Sequence, residues 1–315
     1  MKLIRGLHNL TPPLPGCVAT IGNFDGLHLG HQNIINQVKA VASNMSLPTA
    51  VVVFEPQPVE FFAPDRAPRR LARLRDKVIQ MQQTGIDYLI CLNFNRQLAN
   101  MSAADFVSQI LLERMRVHHL VIGDDFRFGH DRKGDFEYLL QRGRQDGFEV
   151  ENTHTLMIDN QRVSSTRIRQ CLADNDLVAA RHLLGRPYSL SGKVAHGRKL
   201  GQELGFPTIN LRMGRWPIAA HGIFAVLVKG LDNRVLRGVA SIGTRPTVKG
   251  VGTILEVHIL NFSEQIYGRC VEIELLHKLR DEWKFDSLEA LTEQIHRDID
   301  DARAFFNQHE IPEKT

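Results

Sequence analysis

The chain has 315 residues, 43% hydrophobic and 23% charged, with a formal net charge of +4 and four cysteines. That length suits two domains with a core each. No apolar run is long enough to span a membrane and no leader pattern opens the chain, so a soluble, cytoplasmic protein is expected. Cys17, Cys91, Cys171 and Cys270 are too scattered for a disulfide framework or a CxxC metal site. They fit a reducing compartment, and three of them read as small core residues.

Cys17 to Ile21 is short and apolar, as a buried parallel strand would be. Gly22-Asn23-Phe24-Asp25-Gly26-Leu27-His28-Leu29-Gly30-His31 follows, and Ile34, Ile35, Val38 and Val41 then recur near helical spacing. A strand-to-helix junction of this kind offers free backbone N–H groups to an anion, with glycines admitting a ligand close to the backbone. His28 and His31 are three apart, so a helical turn turns both imidazoles to one side, as donors to a phosphate. Zinc ligation and a merely structural turn are the competing readings; the pattern is neither a Walker A loop nor a GxGxxG fingerprint.

Ala50 to Phe54 is the next expected strand, broken by Glu55-Pro56-Gln57-Pro58. The basic run Arg66 to Lys77 lacks interleaved aromatics, so a solvated helix face is favoured over a nucleic-acid surface. Leu71, Leu74, Val78 and Met81 stripe a helix ended by Gly85, and Tyr88 to Leu92 is a strand. Ser102 and Asp105 form a capping pair for a helix to Met115, and His119 to Ile122 is a further strand. Gly123-Asp124-Asp125-Phe126-Arg127-Phe128-Gly129 then places two acids, an arginine and two aromatics in a loop. It can position magnesium, pair with phosphate and stack on a planar ring, or be a polar loop whose phenylalanines return to the core. Gly134 to Arg144 predicts a helix, Phe148 to Val150 begins a strand, and a long connection over Ile158 to Val163 follows. Ser164-Ser165-Thr166-Arg167-Ile168-Arg169 caps another helix, and a capped N-terminus beside Arg169 also suits a polyphosphate. Alternating strands and helices argue a parallel sheet covered on both faces.

These pieces resemble the nucleotidyltransferase superfamily in the form found in bacterial FAD synthetases: GxFDGxHxGH, GDDFRFG and SSTxIR. The resemblance implies a Rossmann-like domain over residues 1–186 that transfers AMP from ATP to FMN. On that model His28 and His31 support the α-phosphate, and Ser164, Thr166 and Arg169 hold the leaving group. Gly22, Asn23, Phe24, Asp25, Asp124, Asp125, Phe126 and Arg127 bind flavin, nucleotide or magnesium. Glu55 replaces the aspartate usual in the family's FDPxP segment.

After Gly185 and Pro187 the pattern changes to short strands, with Ser191 to Ala195, Ile223 to Val228, Val235 to Ile242, Ile254 to Leu260 and Val271 to Leu276 the clearest. They predict a small antiparallel barrel, followed by a terminal helix from about Ser287 to Phe306 lying as a lid. The Gly197-Arg198-Lys199 stretch and Gly205 can wrap a phosphate chain. Thr208 and Asn210, two apart in an extended segment, present oxygens on one side suited to magnesium. Glu256 and His258 alternate with apolar neighbours: an ordinary strand if that face is solvent, a candidate base in Glu256 if it is a cleft.

This half is similar to the riboflavin kinase family, through Pro207-Thr208-Ile209-Asn210, Glu256 and the Ile242-to-Thr247 stretch. The resemblance implies a kinase domain over residues 187–315 that phosphorylates riboflavin with ATP and Mg2+. In it, Gly197, Arg198, Lys199, Gly205, Thr208 and Asn210 bind ligand, Thr208 and Asn210 hold the metal, and Glu256 is the catalytic acid-base group. Gln202 stands where the family more often has arginine. The fold class is therefore α/β, with a C-terminal antiparallel β-barrel and terminal helix, and the partners are small molecules rather than nucleic acid or membrane. A flavin-binding module without turnover is the competing class.

Overall fold

The computed structural model describes residues 1–123, 125–153, 155–196, 204–213, 217–247 and 250–311. By internal contacts the chain divides into Met1–Pro68 with Arg73–Ser164, and Arg69–Ala72 with Ser165–Thr315. In the first unit, β1 (Lys2–Arg5), β2 (Cys17–Ile21), β3 (Thr49–Glu55), β4 (Tyr88–Asn93), β5 (Val117–Ile122) and β6 (Glu149–Asn152) form one sheet. Its order is β1-β4-β3-β2-β5-β6 and every pairing is parallel.

Burial on both faces explains why the central strands are apolar throughout. All of β2 is buried; Cys17, Ala19 and Ile21 pack with Val107 and Ile110 on one side, and Val18 packs with Val38 and Ala42 on the other. The covering helix Leu29–Met45 buries Ile35, Val38 and Ala42, the spacing of a single helical face. Ser102 caps the next face-covering helix, accepting from the Asp105 N–H at 3.0 Å. That helix continues over Phe106–Arg114 with wider turns, closed by Met115 N–H to Ile110 O.

From β2 the chain moves outward to β3 and β4 on one side, and later to β5 and β6 on the other. The carboxyl ends of β2 and β5 therefore flank a topological switch, where such sheets bind ligands. Two features depart from expectation. A hairpin of β7 (Met157–Ile158) and β8 (Gln161–Arg162) occupies what reads as a plain connection. Of the three cysteines expected in the core only Cys17 and Cys91 are buried; Cys171 is half-buried and Cys270 exposed. Burial pushes the Cys17 thiol up to about 12, so it packs as a neutral group.

The second unit opens with the helices Ser165–Ala173 and Leu177–Leu184, the latter stopped by Gly185 at φ 73°. The Arg69–Ala72 segment joins it by pairing Arg70 alongside Ile218. Then β9 (Ser189–Ala195), β10 (Ile209–Arg212), β11 (Gly222–Leu231), β12 (Arg234–Thr247), β13 (Gly250–Ile259) and β14 (Cys270–Arg280) close an antiparallel barrel in the order β10-β13-β12-β11-β14-β9. Alternate residues such as Val226, Val228, Leu255, Val257 and Ile273 are buried on one face of it. The opposite face, at Ala225 and Leu227, packs under Ile299, Ala302 and Phe306 of the terminal helix Leu288–Gln308. The lid expected from the sequence is thus a helix clamped to the barrel wall.

Candidate active sites

The Gly22–His31 loop leaves β2 held by Gly22 N–H on Val52 O at 3.1 Å. It turns through left-handed backbone at Phe24 (φ 46°) and Leu27 (φ 41°), both with buried side chains. Non-glycine residues adopt that conformation at a cost, which the burial of both side chains offsets. His28 caps the helix: its Nδ1 accepts the His31 N–H at 3.2 Å. The two imidazoles stack with centroids 3.6 Å apart and planes 16° apart. The expected same-side pairing is therefore achieved by a cap and a first-turn residue. A Cβ at Gly30 would press on the His28 ring at 3.1 Å, so a side chain there would have to shift the imidazole by a few tenths of an ångström.

Under this loop lies Lys77. Its side chain is 1% exposed and its ammonium donates to the Asn23 carbonyl. This corrects the reading of Arg66 to Lys77 as a solvated face. Arg70 and Lys77 are buried and Arg73 is paired with Asp76 at 2.8 Å, whereas Arg66, Arg69 and Arg75 are exposed. Asp25 is also buried.

The loop after β5 divides its residues. Phe128 returns to the core against Phe106, and Phe126 stacks on it at 5.4 Å, still partly exposed. Asp125 is exposed and meets Arg162 at 3.3 Å; Arg127 Nη1 donates to the Phe126 carbonyl. Asp124 lies outside the described residues. Within the second unit, Ser165, Thr166 and Arg169 fall on the first helix, where Arg169 Nε donates to Arg69 O at 2.6 Å; Ser164 directly precedes that helix.

On the barrel, β10, β13 and β12 lie side by side and their registers align Asn210 with Glu256 and Glu256 with Ser241. Residues directly opposite share a face, so three polar side chains form one row across three strands. That row, with Thr208 and His258, lines a cavity of about 640 Å3 closed by Arg280, Trp283, Leu291 and Ile295. Glu256 thus faces a cleft, not bulk solvent. A second cavity of about 420 Å3, walled by Val194, Ile209, Phe262 and Tyr267, also borders Thr208. Gly205 has φ 87°; Gly197, Arg198 and Lys199, together with Gln202, lie outside the described residues.

Two family models match the chain, FAD synthetase over residues 11–167 and riboflavin kinase over residues 184–306. A bifunctional riboflavin kinase/FMN adenylyltransferase of Escherichia coli is 47% identical, over 97% of this chain and 98% of that protein. Its counterpart in Haemophilus influenzae is 46% identical, over 98% and 100%. The chain belongs to the bifunctional riboflavin kinase/FMN adenylyltransferase family. A crystal structure of a Streptococcus pneumoniae protein named macrolide-efflux protein has a TM-score of 0.77 at 30% identity, covering 96% of this chain and 99% of that one.

For a riboflavin kinase/FMN adenylyltransferase, the structure adds residues that sequence patterning passes over. Ser241 sits in the cavity row, a position visible only once β12 and β13 are in register. Arg280 holds Asp298 of the terminal helix through two bonds of 2.7 Å, and its guanidinium lies 4.8 Å over Trp283. The signal was present as a charged residue at helical spacing within an apolar stripe, Ile295, Asp298, Ile299, Ala302. No group of three metal-ligating His, Cys, Asp or Glu side chains occurs among the described residues, and no described helix is long and apolar enough to cross a membrane.

Proposed function

We propose that the chain converts riboflavin to FMN in its barrel (activity domain 187–315) and FMN to FAD in its parallel-sheet domain (1–186). The observation that carries the reading is the Asn210–Glu256–Ser241 row facing a cavity, with Thr208 shared by a neighbouring one. The larger cavity sets apolar side chains such as Phe206, Val239, Leu291 and Ile295 against as many polar ones, which suits a flavin ring and its ribityl chain; the second suits the nucleotide, so that the phosphate chain passes Thr208.

In the kinase step the ribityl 5′-hydroxyl attacks the γ-phosphorus of ATP, ADP leaves, and the hydroxyl proton passes to Glu256. A carboxylate is far too weak a base to ionise an alcohol beforehand. Glu256 therefore orients the hydroxyl and takes its proton as the new P–O bond forms, and positioning supplies most of the rate. Thr208 and Asn210 offer neutral hard oxygens, a donor set that fits Mg2+ held chiefly by phosphates. When bound, the ion supplies neutralisation of phosphate charge. Gly197, Arg198, Lys199 and Gly205 are assigned to the phosphate chain on the motif alone.

In the adenylyl step an oxygen of the FMN phosphate attacks the α-phosphorus of ATP and pyrophosphate departs. No protein nucleophile is needed. The stacked His28 and His31, at a helix start, donate to the charge that builds on the α-phosphate. Gly22, Asn23, Phe24 and Asp25 shape that loop, and Asp124, Asp125, Phe126 and Arg127 serve the flavin or nucleotide. Ser164, Thr166 and Arg169 are assigned to the leaving pyrophosphate on the strength of SSTxIR. The four free cysteines fit a cytoplasmic enzyme.

The test is a chromatographic time course from riboflavin, ATP and Mg2+. FMN should rise and then give way to FAD. Glu256→Gln should stop FMN formation while FAD still forms from added FMN; FMN formation at the wild-type rate would remove Glu256 from its role.

A further inference from the structure

We propose that the side-chain amide of Gln57 is a ligand-facing donor of the adenylyl-transfer site, reserved for a phosphate oxygen of the flavin or the nucleotide. The inference rests on the assignment of adenylyl transfer to the parallel-sheet domain. Gln57 is 4% exposed. Its backbone is fully used: the N–H donates to Glu60 Oε2 at 2.8 Å, and the carbonyl accepts from Glu60 N at 2.9 Å and Phe61 N at 3.3 Å. Its side-chain Nε2 is enclosed and has no hydrogen-bond partner among the described residues. Buried donors are nearly always satisfied, because leaving one unmet forfeits its hydration without return. A residue kept for packing would do better as an apolar side chain of the same length.

Its place in the fold indicates what satisfies it. Gln57 follows the carboxyl end of β3, the strand next to β2. The Gly22 N–H on Val52 O ties the signature loop to that same end of β3. Pro56 and Pro58 restrict the backbone on either side, and with 4% exposure the side chain has little room to turn. Around this end the chain gathers donors and positive potential: the two stacked imidazoles, the start of the Leu29–Met45 helix and the Lys77 ammonium. An unspent N–H2 group beside such a set completes a cradle for an acceptor-only anion, and phosphate is that anion.

The experiment uses the full chain with Gln57→Met and Gln57→Glu, measuring FAD formation from FMN and ATP. FMN formation from riboflavin by the same preparations is the internal control, and thermal midpoints are recorded without ligand. For Gln57→Met, kcat/KM for FAD formation should fall about tenfold or more, with kinase activity within about twofold of wild type. Its thermal midpoint should be unchanged or higher, since an unmet buried donor has been removed. Gln57→Glu, which sets a carboxylate against phosphate, should lose more. A rise in KM for ATP alone assigns the amide to the nucleotide, and a rise for FMN alone assigns it to the flavin phosphate. Retention of FAD formation by Gln57→Met overturns the inference, as does a lowered midpoint with unchanged kinetics, the mark of an internal bridge. Failure of the wild-type chain to make FAD from FMN overturns the parent assignment, and the inference with it.

Discussion

A buried ammonium is costly unless its surroundings are built for it, and Lys77 spends its charge on the backbone of a loop 54 residues away. Holding the Asn23 carbonyl in place supports the left-handed turns at Phe24 and Leu27, and with them the His28 cap. Lys77→Met keeps the aliphatic stem and deletes the bond. Hydrogen bonds to charged groups contribute about 1.5–3 kcal/mol, so FAD formation should drop roughly 10- to 100-fold while the barrel's kinase activity persists. Assaying both reactions on one preparation checks this, and loss of both would mean that Lys77 serves folding at large. At this scale the sequence was only partly legible. His28, His31 and Glu256 stood out because their motifs are local. Lys77 and Gln57 did not, because whether a polar side chain is buried depends on partners contributed from distant strands, and Lys77 arrived disguised in a run of arginines. Phe128 illustrates the same limit: nothing near it in sequence says that Phe106 completes its packing.

The terminal helix is fastened to the barrel by apolar contacts and by the Arg280–Asp298 pair, whose side chains are 11% and 5% exposed. Gln294 adds a bond to Asp298 Oδ1 at 2.9 Å. Removing one partner of such a buried pair leaves an uncompensated charge, worth about 3–5 kcal/mol. Asp298→Ala should therefore lower stability by that order in a denaturant titration. Because Arg280 also borders the larger cavity, KM for riboflavin should rise with it. Farther along the helix, His277 of β14 stacks on Phe305 at 4.8 Å, and His309 lies tilted against the same Phe305 ring at 4.3 Å. Burial, then the nearby His309, holds the His277 imidazole below its ordinary value of 6.5. The unfolded chain then binds the proton first, so stability is lost as pH falls below about 6.5 until the folded imidazole also titrates. Thermal midpoints followed from pH 7.5 downward should show this decline, and His277→Gln should make it shallower, the remainder coming from His221, whose imidazole burial also holds below 6.5. Most elements here were legible from period and caps. The exceptions were short: β1 and the β7–β8 hairpin carry too few apolar residues for a period, and β10, which overlaps the extended Thr208–Asn210 motif, has only four residues.

At the scale of the whole molecule, two reactions share one intermediate, since the product of the barrel is the substrate of the sheet domain. FMN is a small soluble molecule, so the two steps need not occur on one chain. Mixing Glu256→Gln protein with a His28→Ala, His31→Ala variant should restore FAD synthesis from riboflavin, with a lag that shortens as the enzyme concentration is raised. A mixture that makes FMN but no FAD would require direct passage within a chain. The two-part architecture was readable because composition and period change together after Gly185. The placing of Ser165–Ala173 and Arg69–Ala72 with the barrel was not, since it depends on contacts such as Arg70 with Pro217 and Ala219. Along β13, Leu255 and Val257 fill the barrel while Glu256 and His258 face the cavity, so scaffold and chemistry occupy alternate letters of one word. Losing or gaining a single codon there would drive the acid inward and a leucine outward at once. Descent can respell this strand one letter at a time, but it cannot change its length.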